Sequence, residues 1–375
     1  MIQDNWLLLA IFAGLSSFSI WADQNTKWGK ALSSTNVALI AGMILVNLKI
    51  VPAGSDIHDV VFTYAVPIAI ALLLFQADIR EVIKLGPKLI LAFVVGAIST
   101  TIGAIVAAFA FDLGPQSWIA YGMLTGTYIG GSANLAAIGN ALKIDPSIFV
   151  AINAADLIIF FFWLVFLFQA GKWPFFKKLY PTYTDTFSNN NLSNSKMANE
   201  SKSNEIKAMD IVIVLGLAIG SAALGEVIGS VTGIPGIIFT TTIVLLLASF
   251  TPVSKITVSN DLGIWFFMIF CVANGSLALF SDVAAAGPKV FLGTATVVLV
   301  HGIVIFLLGK LTKLPLEYIL LSSCANIGGP SISGPLAAAY KWDDLVLPGI
   351  LIGVLGAAVG TYCGFGMAYV LKSIL

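Results

Sequence analysis

The chain has 375 residues, of which 58% are hydrophobic and only 10% charged, with 19 basic residues against 19 acidic ones. A water-soluble domain carries about 25% charged residues, so a chain with a mean hydropathy of +0.96 takes the bilayer as its solvent. Zero net charge leaves no nucleic-acid footprint. The three cysteines, Cys271, Cys324 and Cys363, form no CxxC or Cys/His cluster, which gives neither a disulfide framework nor a zinc site.

The first apolar run, Trp6–Trp21, follows Asp4 rather than a basic stretch and runs into Ala-Asp-Gln rather than a small-x-small site. It therefore reads as a first span, not a cleaved signal. A spanning helix needs about 20 mostly apolar residues. Ten runs qualify, at about 6–22, 32–48, 60–77, 86–111, 147–169, 210–229, 234–250, 262–280, 288–308 and 344–371. The predicted fold class is an all-α polytopic membrane protein. Two further apolar stretches, 117–142 and 316–340, are broken in the middle by glycine and small polar residues.

These breaks mark an internal repeat. Ile129-Gly130-Gly131-Ser132 lines up with Ile327-Gly328-Gly329-Pro330 at an offset of 198, and Gly86-Pro87-Lys88 with Gly287-Pro288-Lys289 at 201. Lys143 and Asp145 answer Lys341 and Asp343. The predicted domains are a first repeat over 1–170, a polar, low-complexity cytoplasmic linker over 171–208 that reads as flexible, and a second repeat over 209–375.

Lysine and arginine prefer cytoplasmic loops, and their positions decide how the broken stretches run. If both are re-entrant hairpins, fifteen of the nineteen fall on one side and four (Lys49, Lys143, Lys289, Lys372) on the other. If both cross fully, the split is eight against eleven. The sequence therefore predicts ten spans and two hairpins, with five spans and one hairpin in each repeat. An odd number of spans inverts the second repeat and puts both termini outside.

Inverted repeats with interrupted helices meeting at mid-membrane are the architecture of secondary transporters, and matched breaks point to the binding site. The predicted substrate-binding residues are Thr127, Tyr128, Gly130, Gly131, Ser132 and Asn134 in the first break, and Asn326, Gly328, Gly329, Ser331 and Ser333 in the second. Glycine allows positive φ and close backbone approach, and the half-helices leaving each tip offer free N–H groups to an anionic group. Packing of small residues is the competing explanation for the glycines. Asp156, in the middle of a span, is an expensive charge and a functional candidate. With Asn153 one turn earlier it fits a Na⁺ site, or it carries a proton alone; a structural pairing is the alternative. His301, aligned with Thr100 at the 201 offset, fits either a proton relay or packing. His58 reads as a loop residue. With only these two histidines and no HExxH or GxSxG motif, the chain is not expected to be an enzyme.

The motifs Ile-Gly-Gly-Ser-Ala-Asn at 129–134 and Asn-Ile-Gly-Gly-Pro-Ser at 326–331, set in two inverted halves, resemble the YjcL-like membrane protein family. The architecture is similar to the glutamate:sodium symporters and the 2-hydroxycarboxylate transporters, though the citrate transporters' substrate-binding arginine has no counterpart here. The resemblance implies an elevator transporter of the cell (inner) membrane, with a mobile core and a scaffold that forms a homodimer. The scaffold is expected in the first two spans of each repeat, 6–48 and 210–250. The function expected is Na⁺- or H⁺-coupled symport of a small organic anion or amino acid, with no cofactor beyond the coupling ion. Cation/proton antiport through Asp156 and a non-transporting sensor or scaffold protein are the alternatives.

Overall fold

The computed structural model describes residues 1–181, 183 and 207–375, which form helices and connecting turns with no strand among them. In chain order the helices are α1 (Asn5–Asn25), α2 (Lys27–Asn47), α3 (Asp56–Leu74, with a π turn at Val61–Ala65), α4 (Ile79–Ile83), α5 (Pro87–Ala110), α6 (Ser117–Gly130), α7 (Ser132–Ala141) and α8 (Pro146–Ala170). They continue with α9 (Pro174–Leu179), α10 (Ala208–Thr232), α11 (Gly236–Phe250), α12 (Val258–Gly275), α13 (Phe280–Leu311), α14 (Leu316–Gly328), α15 (Pro330–Ala339) and α16 (Asp343–Ile374). Among the described residues, nine helices are long and apolar enough to cross a membrane. The remaining predicted span, 234–250, corresponds to α11, which has 15 residues and extends roughly 22 Å.

Local chemistry sets the ends of these helices. The Asp4 carboxylate accepts from Leu7 N–H at 2.8 Å and opens α1. Thr26 caps α2, accepting from Gly29 N–H at 2.9 Å. Pro87 and Pro146 occupy first-turn positions in α5 and α8, where a missing N–H costs nothing. Outward faces carry large apolar side chains, among them Trp6, Phe162, Val231 and Ile303, each more than 60% exposed. That pattern suits hydrocarbon and not water.

Three boundaries differ from the sequence reading. Span 60–77 begins at Asp56, so His58 lies in the first turn of α3 and not in a loop. It is buried, with Nδ1 hydrogen-bonded to Ser55 Oγ at 2.9 Å and Nε2 to Ser276 Oγ at 2.7 Å. Span 288–308 lies inside the 32-residue α13. Pro288 lies inside that helix, where it leaves the Ala284 carbonyl without its intrahelical donor. The stretch expected to begin a flexible linker at 171 instead forms α9. The Phe176 ring packs on Phe306 at 4.8 Å, and Tyr180 Oη donates to the Phe306 carbonyl at 2.7 Å. Residues 182 and 184–206 of that linker lie outside the described residues.

The helices sort into two bodies. One contains α1, α2, α3, α10, α11 and α12; the other contains α5 to α8 and α13 to α16. The spans expected to form the scaffold, 6–48 and 210–250, are joined in the first body by α3 and α12. The third spans, α3 and α12, pack on each other and α12 packs on α2. A Cβ at Gly42 would collide with the Val272 carbonyl, and one at Gly275 with the Leu39 carbonyl, so glycine on both sides lets these backbones touch.

Candidate functional site

Each broken stretch folds back on itself. In the first, α6 runs to Gly130, the chain turns at Gly131 (φ +94°) and α7 returns. Met123 of α6 packs against Gly139 of α7, and Ile138 of α7 against Gly126 of α6. The open end is tied by Gln116, whose Oε1 accepts from Asp145 N–H at 2.8 Å and whose Nε2 donates to the Lys143 carbonyl at 3.4 Å. In the second stretch the turn is at Gly329 (φ +70°), between α14 and α15. Both turn glycines have open space where a Cβ would sit, so their requirement for glycine is conformational. The matched residues Lys143 and Lys341 share an uncommon left-handed conformation, at φ +55° and +59°.

The two stretches enter from opposite ends. Helix α8 starts at Pro146, beside the Gln116–Asp145 bond, and ends at Ala170, where Tyr340 Oη accepts from Gly171 N–H at 2.9 Å and donates to the Leu167 carbonyl at 2.7 Å. Its 25 residues separate the two open ends by roughly 37 Å. The turns meet on α16. A Cβ at Gly353 would collide with Pro330 N, and one at Gly356 with the Ile129 carbonyl. These two glycines stand only about 4.5 Å apart along the helix axis.

A buried hydrogen-bonded chain joins the end of α6, beside the first turn, to the middle of α14. The last turn of α6 loosens at Tyr128 (φ −87°, ψ 15°), and its carbonyl accepts from Thr100 Oγ1 of α5 at 2.9 Å. Thr100 has one hydroxyl proton, and the carbonyl takes it. The 2.9 Å contact from Thr100 Oγ1 to His301 Nδ1 of α13 therefore has the imidazole as donor. His301 Nε2, the acceptor of that tautomer, meets Ser323 Oγ of α14 at 3.0 Å. Ser323 Oγ in turn accepts from Trp163 Nε1–H of α8 at 3.1 Å. Thr100, His301 and Ser323 are each 0% exposed. Two residues aligned by the 201-residue offset thus touch each other; Thr100 reaches Tyr128, three residues before Gly131, and His301 reaches Ser323, six residues before Gly329.

The predicted residues separate into three groups. Ser132 and Ser331, the exposed residues at the starts of α7 and α15, flank the two turns. Others are tied into packing: Asn134 Oδ1 accepts from Thr361 Oγ1 at 2.6 Å, Asn326 Nδ2 donates to the Ser322 carbonyl at 2.8 Å, and Ser333 Oγ donates to the Gly349 carbonyl at 2.7 Å. Asn153 Nδ2 donates to the Phe149 carbonyl at 2.9 Å within its own helix. Gly130 abuts Gly356, Gly328 abuts the Phe160 ring, and Thr127 is buried with its carbonyl accepting from Gly131 N–H at 2.7 Å.

The third group has buried polar atoms with no hydrogen-bond partner: Tyr128 Oη, Asn134 Nδ2, Ser322 Oγ, Asn326 Oδ1 and Asp156 Oδ1. Buried polar atoms are normally paired, and here five unpaired ones belong to the hairpins or face them. Asp156 and Tyr128 interact electrostatically without reaching hydrogen-bond geometry. Sequence reasoning missed Trp163 and Thr361. Trp163 was within reach, since it stands seven residues after Asp156 and so on the same helix face.

A separate crevice of about 600 Å³ between α8 and α13 is lined by Phe162, Phe166, Leu299, Phe306 and other apolar groups, and offers nothing to fix a polar ligand.

Over its full length the chain is 29% identical to a protein of Bacillus subtilis (strain 168) named "Uncharacterized membrane protein YjcL", covering 98% of that protein. A family profile matches residues 10–374. The chain therefore belongs to the membrane-protein family described as "Protein of unknown function (DUF819)".

Proposed function

We propose that the protein is a secondary active transporter of elevator type, with its substrate held between the two glycine turns. The observation that carries this reading is their convergence. Two fold-back stretches enter from opposite ends, turn at positive-φ glycines beside open space, and pack on one turn of α16. Irregular backbone at membrane depth is tolerated where it lines a cavity or is buried in protein, and unpaired polar atoms around it suit a polar solute. The stretches are re-entrant hairpins in two inverted repeats of five spans each, a reading supported by the matched backbone at Gly131/Gly329 and Lys143/Lys341. The body with α5–α8 and α13–α16 is the moving core. The other body is the scaffold, through which the protein forms a homodimer. The membrane is the cell (inner) membrane, with both termini outside.

The substrate is a small organic anion or amino acid, moved by symport with Na⁺ or H⁺. Neither 129–134 nor 326–331 contains a Lys or Arg, so an anionic group rests on the first-turn N–H groups of α7 and α15. The test is uptake of a labelled panel of amino acids and carboxylates into proteoliposomes under imposed Na⁺ or pH gradients. Uptake above protein-free vesicles is expected for at least one solute. If no solute moves under any gradient and none raises the melting temperature, the transporter reading fails and a sensor or scaffold role replaces it. Gradient-driven Na⁺/H⁺ exchange without solute would replace it with antiport through Asp156.

A further inference from the structure

We infer that the apolar crevice between α8 and α13 binds one anionic phospholipid, with an acyl chain lying along α13 and the headgroup at a lysine cluster where the two helices end. The site is separate from the glycine turns and does not depend on the transporter function proposed above.

The crevice follows from the residues that line it. Along α13, Phe291, Ala295, Val298, Gly302 and Phe306 recur every three or four positions and so share one face. The small residues Ala295 and Gly302 make the hollow. Opposite them α8 supplies Phe162, Trp163 and Phe166. A Cβ at Gly302 would collide with the Trp163 ring, so the two form a tight floor. That ring is held in place by its Nε1–H, which donates to Ser323 Oγ at 3.1 Å. The floor is buried, with Val298 2% and Trp163 8% exposed, whereas Phe162, Leu299 and Ile303 at the rim are each more than 60% exposed. The opening therefore faces away from the protein, toward hydrocarbon.

Size and lining suit an acyl chain. From Phe291 to Phe306 the stripe runs roughly 22 Å along the helix axis. A chain from one leaflet spans about half of a ~30 Å hydrocarbon core, so it lies within the stripe. The volume of about 600 Å³ falls in the range of ligand sites.

Charge chooses the headgroup. The Phe166 and Phe306 rings pack 5.9 Å apart near the ends of α8 and α13, so both helices end on the same side. One turn beyond Phe306, the lining stripe continues to Lys310, which is exposed. Phe176 of α9 lines the crevice, and the exposed Lys177 and Lys178 follow it directly. With Lys172 and Lys313 they make five lysines, and 157–183 and 302–316 contain no acidic residue. The acids that flank these segments are Asp156, back along α8, and Glu317, whose Oε2 accepts from Tyr183 N–H at 3.2 Å. Among the described residues the ion pairs are Arg80–Asp78 and Lys84–Glu81, neither in this cluster. Trp173 and Phe175, exposed beside the lysines, are the residue types of a membrane interface. Lysines at that depth attract anionic headgroups. A zwitterionic lipid gains nothing from them. A second copy of this chain on the same face would set lysines against lysines.

Native mass spectrometry of the full-length protein, titrated with phosphatidylglycerol or with phosphatidylcholine of the same chains, tests the site. The first phosphatidylglycerol should bind about tenfold tighter than the first phosphatidylcholine, the effect of between one and two lysines at a membrane surface. The triple variant Lys177→Gln/Lys178→Gln/Lys310→Gln should lose that preference and bind phosphatidylcholine as before. Ala295→Phe, which fills the hollow, should weaken the first binding step for both lipids. Equal affinities in the wild type would overturn the proposal, as would a preference that survives both variants. Should Ala295→Phe fail to fold, the wild-type comparison and the lysine variant at the exposed helix ends still decide. Disulfide-linked dimers of Leu299→Cys in nanodiscs would overturn it too, by seating a second copy of the chain on the crevice.

Discussion

The chain from Tyr128 to Trp163 can be cut between Tyr128 and His301 by Thr100→Val, which keeps the side-chain shape and removes one hydroxyl. The change takes away the donor to the Tyr128 carbonyl and the acceptor of His301 Nδ1–H. Hydrogen bonds inside membrane proteins are worth about 0.6 kcal/mol on average and up to about 1.7. Leaving a buried polar group unpaired costs about 1–3 kcal/mol. With two partners orphaned among fully buried residues, the expected loss is about 1–3 kcal/mol. The neighbour supplies a control. Ser99 is equally buried but donates only to the Val95 carbonyl of its own helix, at 2.6 Å. Ser99→Ala should cost no more than an average bond, about 0.6 kcal/mol. Equilibrium unfolding in mixed micelles measures both. The double mutant with Ser323→Ala should depart from additivity by at least about 0.5 kcal/mol, since both changes act through one imidazole. If Thr100→Val costs no more than Ser99→Ala and adds to Ser323→Ala within about 0.3 kcal/mol, α6 and α14 are not coupled through His301.

Gly131→Ala and Gly329→Ala should each lose about 1–2 kcal/mol through backbone strain at positive φ, seen as a lower melting temperature; an unchanged temperature would mean the turns relax. Gly356→Val should abolish uptake, because its side chain collides with the Ile129 carbonyl; wild-type uptake would show that the turns need not meet on α16. Cysteines introduced at Ser132 and Ser331 should react with an aqueous maleimide, and added substrate should change the two rates in opposite senses; identical rates under all conditions would contradict alternating access. The Asp112 carboxylate, in the loop after α5, accepts from Gly114 N–H and Ser117 Oγ, which together hold it below its ordinary value of 3.8. Its stabilising effect is thus present above that ordinary value and lost as pH falls through the lowered one. The melting-temperature gap between wild type and Asp112→Asn should be full at neutral pH and close only in strong acid; a gap that persists there would assign the effect to packing.

Much of the transverse layout could be read from the chain. Long apolar runs identify helices regardless of their neighbours, and the paired Ile-Gly-Gly breaks located both turns because only glycine holds φ +94° and +70° without strain. The 201-residue offset even matched Thr100 with His301, although only the coordinates place them in contact. The lateral arrangement was not legible. Lipid and protein neighbours are equally apolar, so nothing in the hydropathy of α3 or α12 tells which body each joins. The same blindness hid the role of Asn134 and Asn326. An amide in a glycine-rich turn looks like a ligand group, and the sequence does not reveal the Thr361 hydroxyl or the Ser322 carbonyl that occupies it.

The glycines of α16 form a continuous stripe: Gly349 and Gly353 against the second hairpin, then Gly356, Gly360 and Gly364 against the first. This bears on the order of biosynthesis. The ribosome makes the first turn near residue 131 and the second near 329, yet the surface that seats both comes last, at residues 349–364. Until α16 inserts, each turn lacks the helix it packs on. A nascent chain arrested before residue 349 should hence be open to quality-control proteolysis at both turns, and one arrested beyond residue 364 protected at both. Helix α16 would then set the moment at which both turns become protected.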